Sequence, residues 1–280
     1  MSIFDRLGNG WNLGIKSLEI IAKHPKLLLF PVLSGLGLIA VLLTFATAFF
    51  GMAGFNPELI ESTMNSVDEM GQAAAILITF VYYLITYFVI VFFNVGLVHN
   101  ARLIFAGEEP SIREGIAFAT KRAHTIFAWA ALAATVGMIL QALEQRLGSL
   151  VSGILGFGWT IATYFVVPTL AAEEIGPFDA LKRSANTIKS KWGESIGAGF
   201  SLGLFNLAGM VIAIVSGLAF GAFVHPGLGI AIGVLTFFLT MIANSAARNI
   251  FLAAAYEHTQ GNTPLDFDAD TLDGVFMTKR

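Results

Sequence analysis

Residues 195–247 read SIGAGFSLGLFNLAGMVIAIVSGLAFGAFVHPGLGIAIGVLTFFLTMIANSAA, a run of 53 positions between Glu194 and Arg248 without one Asp, Glu, Lys or Arg. At about 1.5 Å per residue, a single helix of this length would be roughly 80 Å long, against a bilayer core of roughly 30 Å. One crossing cannot absorb it. His225-Pro226-Gly227 stands near its middle. Proline removes a helical N–H and glycine ends helices, so the triplet reads as a tight turn between two spans. The fold class follows: this chain crosses a membrane in helices.

Working outward, the same test finds four more charge-free runs. Lys26 to Glu58 leaves 31 positions, Glu69 to Arg102 leaves residues 70–101, Arg122 to Glu144 leaves 21 and Arg146 to Glu173 leaves 26. The spacing predicts an all-α polytopic membrane protein with six transmembrane helices near 30–54, 72–99, 124–143, 149–171, 195–223 and 228–254. They form one domain over residues 1–256, and an acidic cytoplasmic tail with a short helix occupies 257–280. Composition agrees. Among 280 residues only 12% are charged and 56% hydrophobic, with a mean hydropathy of +0.75. Soluble domains carry about 25% charge. A net charge of −3 argues against a basic nucleic-acid binder. The lack of cysteine excludes disulfides, thiolate metal sites and Cys nucleophiles.

Orientation follows from the bases in the short loops, which stay cytoplasmic. Fifteen of the sixteen Lys and Arg fall on one side. They are Arg6, Lys16, Lys23 and Lys26; Arg102, Arg113, Lys121 and Arg122; Lys182, Arg183, Lys189 and Lys191; and Arg248, Lys279 and Arg280. The other side has Arg146 alone, and its 55–70 loop holds Glu58, Glu61, Asp68 and Glu69. An inner (plasma) membrane protein with both termini cytoplasmic is predicted. The first apolar stretch is too long for a signal-peptide core, so the first span is expected to stay as an anchor.

The basic segments share a form. Ile3, Leu7, Trp11, Gly14, Leu18 and Ile21, then Ile112, Ile116, Ala119, Ala123 and Ile126, then Phe178, Leu181, Ala185, Ile188 and Trp192 each fall at gaps of three and four. Each set makes one apolar stripe on a helix. Such amphipathic helices lie in the headgroup plane, which predicts a lipid-contacting collar. Each precedes two spans, so the unit is helix–span–span, three times over. Ala101-Arg102-Leu103-Ile104-Phe105 returns as Ala247-Arg248-Asn249-Ile250-Phe251, and Gly107-Glu108-Glu109-Pro110 as Gly261-Asn262-Thr263-Pro264. Chance convergence of such short matches is the alternative. The tail, with Asp266, Asp268, Asp270 and Asp273, is expected to fold back onto Lys182, Arg183 and Lys189.

Motifs for catalysis are missing. There is no Gly-x-x-x-x-Gly-Lys-Ser/Thr, no His-Glu-x-x-His and no Gly-x-Ser-x-Gly. His24, His99, His124, His225 and His258 are not paired at helical spacing. Asp266-x-Asp268-x-Asp270 resembles the start of a calcium loop, but Thr271 replaces its turn glycine and Met277 its bidentate Glu. It reads as an Asp-capped helix with Leu272 and Phe276 on one face. No metal and no cofactor is expected.

Arg248 is the most interesting single residue, because a charge inside a span is costly and is paired or functional. Asn94, His99 and Asn100 gather near Arg102, and Asn244 and Asn249 near Arg248, which makes a candidate polar cluster. Two readings stay open. In one, the arginines snorkel to lipid phosphate and the asparagines bond between helices. In the other, a polar cavity lies between the second and sixth spans. Gly199-x-x-x-Gly203 and Gly217-x-x-x-Gly221 in the fifth span, with Ser149, Ser152, Gly153 and Gly156 in the fourth, are candidate close-packing positions within the bundle or at a homodimer face.

The stretch Val167-Pro168-Thr169-Leu170-Ala171-Ala172-Glu173-Glu174-Ile175-Gly176-Pro177-Phe178-Asp179-Ala180-Leu181-Lys182-Arg183-Ser184, closing with Lys191-Trp192-Gly193-Glu194, resembles a broad set of bacterial and archaeal six-helix membrane proteins. That set includes domain of unknown function 6159 and, more distantly, the membrane domain attached to some glycerophosphodiester phosphodiesterases. The tail pattern Gly261, Pro264, Phe267, Asp268, Leu272 and Phe276 and the opening Phe4 to Trp11 are similar too, as is Leu29-Phe30-Pro31. The resemblance implies a fold and a cellular place and brings no activity. The phosphodiesterase activity does not carry over, since its catalytic domain has no counterpart in these residues. The reading is a non-enzymatic multi-pass membrane protein that binds lipid or a membrane partner. The alternative is a transporter or channel subunit for a small solute or lipid. Membrane lipids are the expected partners, with a membrane protein or a second copy of the chain beside them, and no nucleic acid.

Overall fold

The computed structural model describes residues 3–53, 72–191, 197–267 and 272, and every regular element among them is helical. Helix α1 (Ile3–Lys23) leads through a 3-10 turn at Pro25–Leu28 into α2 (Leu29–Ala53). Then come α3 (Gln72–Phe105), α4 (Ile112–Lys121), α5 (Ala123–Leu147), α6 (Ser149–Ala162), α7 (Val166–Ala172), α8 (Pro177–Lys191), α9 (Gly197–Phe223) and α10 (Pro226–Thr259). Six stretches are long and apolar enough to cross a membrane: Pro25–Ala48, Ala73–Phe105, Ala123–Leu147, Ser149–Ala172, Phe205–Phe223 and Pro226–Thr259. They answer, in order, to the six expected spans. Helices suit the medium because lipid offers no hydrogen bonds, so every backbone group must be paired within its own segment.

The fourth span is not the continuous helix expected over 149–171. It breaks at residues 163–165 between α6 and α7. Pro168 explains the break. An unbroken helix would need its missing N–H to bond to the Tyr164 carbonyl, and its ring would clash there. The chain instead turns, with Val166 N bonding to Thr163 O at 3.0 Å. The Phe165 N–H, freed by the turn, donates to Ser184 Oγ at 2.9 Å, which docks α8 onto the break.

Helix α3 is the hub, touching α2, α4, α5, α7 and α10. Two bonds tie it to α10 with the same sequence separation of 155 residues. Asn249 Nδ2 donates to Asn94 Oδ1 at 3.3 Å, and Arg102 Nε to Glu257 Oε1 at 2.5 Å. An equal offset at two levels means that the helices run parallel and in register. Their ends match as well. Glu108 N bonds to Leu103 O and Gly107 N to Ile104 O, as Asn262 N does to Glu257 O and Gly261 N to His258 O. Both glycines are left-handed, with φ of 80° and 90°. These are two Schellman caps on helices that end alike. The Gly107/Gly261 match therefore agrees with the spatial register. The Arg102/Arg248 match does not, since Arg102 lies level with Glu257, nine residues further along α10 than Arg248.

The buried core sits at this basic end, built from Val95, Val98 and Ala101 of α3, Phe30, Phe165 and the Phe251–Tyr256 stretch of α10. The amphipathic helices pack part of their surface against it and leave other stripe residues exposed. On α1, Leu13, Ser17, Ile20 and Ile21 are buried against α9 and α10, and Trp11 stacks on Phe205 with centroids 4.2 Å apart. On α4, Gly115 and Ala119 are buried against α3. On α8 the buried line is Ala180, Ser184 and Thr187, one residue round from the stripe read in the sequence. Leu181 and Ile188 are half-buried against the core, and Phe178 is exposed. Asp266, the described acid of the tail, lands elsewhere than expected. Asp266 pairs with Lys23 of α1 at 3.0 Å, and Phe267 packs on Phe105. Asp268, Asp270, Asp273 and Phe276 lie outside the described residues.

Helices α9 and α10 make the tightest interface through facing glycines. A Cβ on Gly217 would stand 3.2 Å from Gly229 O and from Gly233 Cα, and one on Gly221 would stand 3.7 Å from Gly229 Cα. Gly203 is not a close-packing position, because nothing described lies within 4 Å of its Cβ site. Gly153 and Gly156 are equally open, and the surroundings of Gly199 lie outside what is described. Small residues spaced by four make close approach achievable, but a neighbour must also be present on that face.

Candidate functional site

The residues of the expected polar cluster divide into three groups. The first is structural. Asn100 is fully buried, donates to Gly96 O of its own helix at 3.0 Å and accepts from Ser111 N at 2.6 Å, so it caps α4. His99 stacks flat on Phe118 with centroids 3.9 Å apart, and its Nε2 lies 4.0 Å from Glu114 Oε1.

The second group ties the helix ends together. Arg102 donates to Glu257 and, at 3.1 Å, to the carbonyl of Ala171, while Glu257 also accepts from Asn262 at 2.8 Å. Glu173 is a second junction. Its Oε1 accepts the Tyr256 hydroxyl at 2.5 Å and Arg183 Nε at 3.0 Å, and its carbonyl accepts from Arg122. Burial alone would raise the Glu173 carboxyl, but the bonds from Tyr256 and Arg183 outweigh it and hold the carboxyl below its ordinary range. The reciprocal effect raises Arg183. Sequence reading did not single out Glu173, Tyr256 or Glu257. Two acids standing among bases at the ends of apolar runs were the only local signal.

The third group is different. Asn249 bonds to Asn94 and to Ser245 O, and Asn244 donates to Phe205 O at 3.1 Å and Asn206 Oδ1 at 3.3 Å. Arg248, on the same stretch of α10, is exposed and has neither an ion pair nor a hydrogen bond among the described residues. It lies roughly 13 Å along the helix from Glu257, at 1.5 Å for each of the intervening residues. Two cavities meet at it. One of about 360 Å³ lies under α1, bounded by Gly14, Gly203, Phe205, Asn206 and Asn244. The other, about 410 Å³, opens between α3, α5, α6 and α10. They share Tyr164, Ser245 and Arg248. The second cavity is lined by the apolar Ile90, Val91, Trp129 and Trp159, the two indoles nearly parallel at 5.9 Å, and by the polar Asn94, Thr163 and Asn249.

These helices and both clusters fall within residues 73–264, the span matched by a family model. The chain belongs to the family of unknown function DUF6159. No curated protein and no solved structure matches it. What a DUF6159 protein does must therefore be argued from its own groups. Among the described residues Glu173 and Glu257 are committed to cations and a hydroxyl, whereas Arg248, within the sixth span, has neither an ion pair nor a hydrogen bond and lines both cavities.

Proposed function

We propose that this DUF6159 protein is a non-catalytic, multi-pass protein of the inner (plasma) membrane that binds membrane lipid inside its helix bundle. The observation that carries the reading is the 410 Å³ cavity, lined by both apolar and polar side chains and placed among membrane-spanning helices. Its size falls within the roughly 300–1,000 Å³ of small-ligand sites, which are likewise mostly apolar with a few placed polar groups. Transport of a small solute or lipid is the alternative reading.

Thr160→Trp, which places an indole in the cavity from an exposed position on α6, is expected to remove lipid retained through purification without changing the melting temperature. Mass spectrometry of the detergent-purified parent and variant reads the result. Equal retained lipid in both ends the proposal.

The same reading sets both termini in the cytoplasm, supported by the distribution of the sixteen bases. The chain has no cysteine, so single Cys variants report cleanly. Ser66→Cys is expected to react with an impermeant maleimide in whole cells, and Ser190→Cys only after lysis. The opposite pattern inverts the topology.

A further inference from the structure

We infer that the ligand is an acyl chain bearing an anionic head, carboxylate or phosphate, with the head on Arg248 and the chain in the cavity lined by Trp129 and Trp159. This rests on the lipid-binding reading and goes beyond it by fixing the charge and polarity of the ligand. Three observations carry it.

The first is charge. An arginine within a span is found paired or facing a polar cavity. Arg102 follows the rule through Glu257 and the Ala171 carbonyl. Arg248 has no such partner among the described residues, and the nearest carboxylates along the bundle are already engaged, Glu257 by Arg102 and Asn262 and Glu173 by Arg183 and Tyr256. No described residue supplies the counter-charge, which leaves the guanidinium open to an anion from outside the chain.

The second is geometry. Arg248 stands where both cavities meet, so its guanidinium is approachable from either side of α10. Its fork of N–H donors matches the two oxygens of a carboxylate or phosphate. Ser245 lies beside it on the same helix and lines both cavities, offering a neutral donor to the head.

The third is the mixed lining. Beside Arg248 the 410 Å³ cavity is walled by the apolar Ile90, Val91, Trp129 and Trp159. A free inorganic anion would leave that apolar wall uncovered, and a neutral lipid would leave the guanidinium without a counter-charge. An anionic amphiphile satisfies both.

The lining supplies its own reporter. Dibromostearate quenches indole fluorescence on contact, so titrating it into the full-length protein carrying Trp11→Phe and Trp192→Phe, in zwitterionic nanodiscs, reads occupancy at Trp129 and Trp159. Saturable quenching is expected, with the apparent affinity at least about tenfold weaker in Arg248→Gln, the loss expected of one charge-assisted contact. Arg248→Lys should fall between the two, since it keeps the charge and loses the fork. A dibrominated monoacylglycerol tests the head. It should bind weakly and equally to parent and Arg248→Gln. Inorganic phosphate at millimolar concentration should not displace dibromostearate. Unchanged affinity for dibromostearate in Arg248→Gln overturns the inference, and saturable quenching by the neutral analogue would then leave the lipid-binding reading standing. Displacement by phosphate alone would make the ligand a free anion and remove the acyl chain. No saturable quenching by either brominated lipid overturns both. Matched melting curves for the Arg248 variants confirm that any loss lies in the site, as expected for an exposed side chain.

Discussion

Gly229→Ala is expected to force α9 away from α10 and to lower the melting temperature of the purified protein sharply. The added Cβ would lie 2.5 Å from Gly217 O and from Gly221 N. Both are backbone atoms of a helix and have no rotamer into which to retreat, so the two axes must part. Separation is costly here for a reason specific to the membrane. Lipid tails are as apolar as the helices, so the hairpin is held by close contact and not by hydrophobic exclusion. Overpacking a well-filled core costs about 1–3 kcal/mol, and contact with backbone on a facing helix belongs at the top of that range. Gly203→Ala is the matched control. It adds the same methyl to an open position of α9 and should stay within about 0.5 kcal/mol of the parent. Thermal melts followed by circular dichroism compare the three. A Gly229→Ala protein that melts with the parent would show that α9 and α10 do not meet at these glycines.

The contrast between Gly229 and Gly203 shows how far the sequence reaches. The six spans are legible because charge is excluded from the bilayer core, and the spacing of charged residues alone locates them. The turn at His225 was legible for the same reason. It forms as a helix start, with His225 Nδ1 accepting from Gly227 N at 3.0 Å. Glycine spacing on α9 was also visible, but a packing site needs a facing surface, and nothing local in the sequence says that Gly217 meets Gly229 and Gly233 while Gly203 meets open space. The stripes on α1, α4 and α8 fail in the same way. Periodicity shows which face is apolar and cannot show whether lipid or protein covers it. Here Trp11 finds Phe205, and Ser184 outranks its apolar neighbours because the Pro168 break leaves the Phe165 N–H in need of an acceptor. The polar cluster was found as a list of residues and not as an arrangement. Arg102 and Arg248 look equivalent in sequence, yet one is neutralised by Glu257 and the other is not, and the difference is made by a partner 155 residues away.

Glu173→Gln is expected to destabilise the basic end by about 2 kcal/mol at neutral pH and to flatten the protein's response to acid. Glu173 Oε1 receives two donors, Tyr256 from α10 and Arg183 from α8, and its side chain is only 26% exposed. Hydrogen bonds to a charged group are worth about 1.5–3 kcal/mol each. Arg183 is half exposed, so solvent screening takes most of its share, and the Tyr256 bond carries the larger part. The sign of the pH effect follows from the direction of the shift. Tyr256 and Arg183 favour the carboxylate and hold the folded group below its ordinary value of 4.5, despite the burial that opposes them. A carboxyl more acidic in the folded than in the unfolded state contributes stability that is fully present above the unfolded value. That stability is lost as the pH falls through the folded one. Melting temperatures of the parent should therefore drop below about pH 4.5, where those of Glu173→Gln, already lower at pH 7, change less. Arg183→Gln should keep most of the parent's stability at pH 7 because the bond it removes is the screened one. Parallel acid profiles for parent and Glu173→Gln would assign the acid sensitivity to another carboxylate. Because Tyr256 stands eight residues beyond Arg248 on α10, loosening this junction also frees the helix that carries the proposed head site. Glu173→Gln should then weaken dibromostearate binding less than Arg248→Gln does, and for neutral and anionic chains alike.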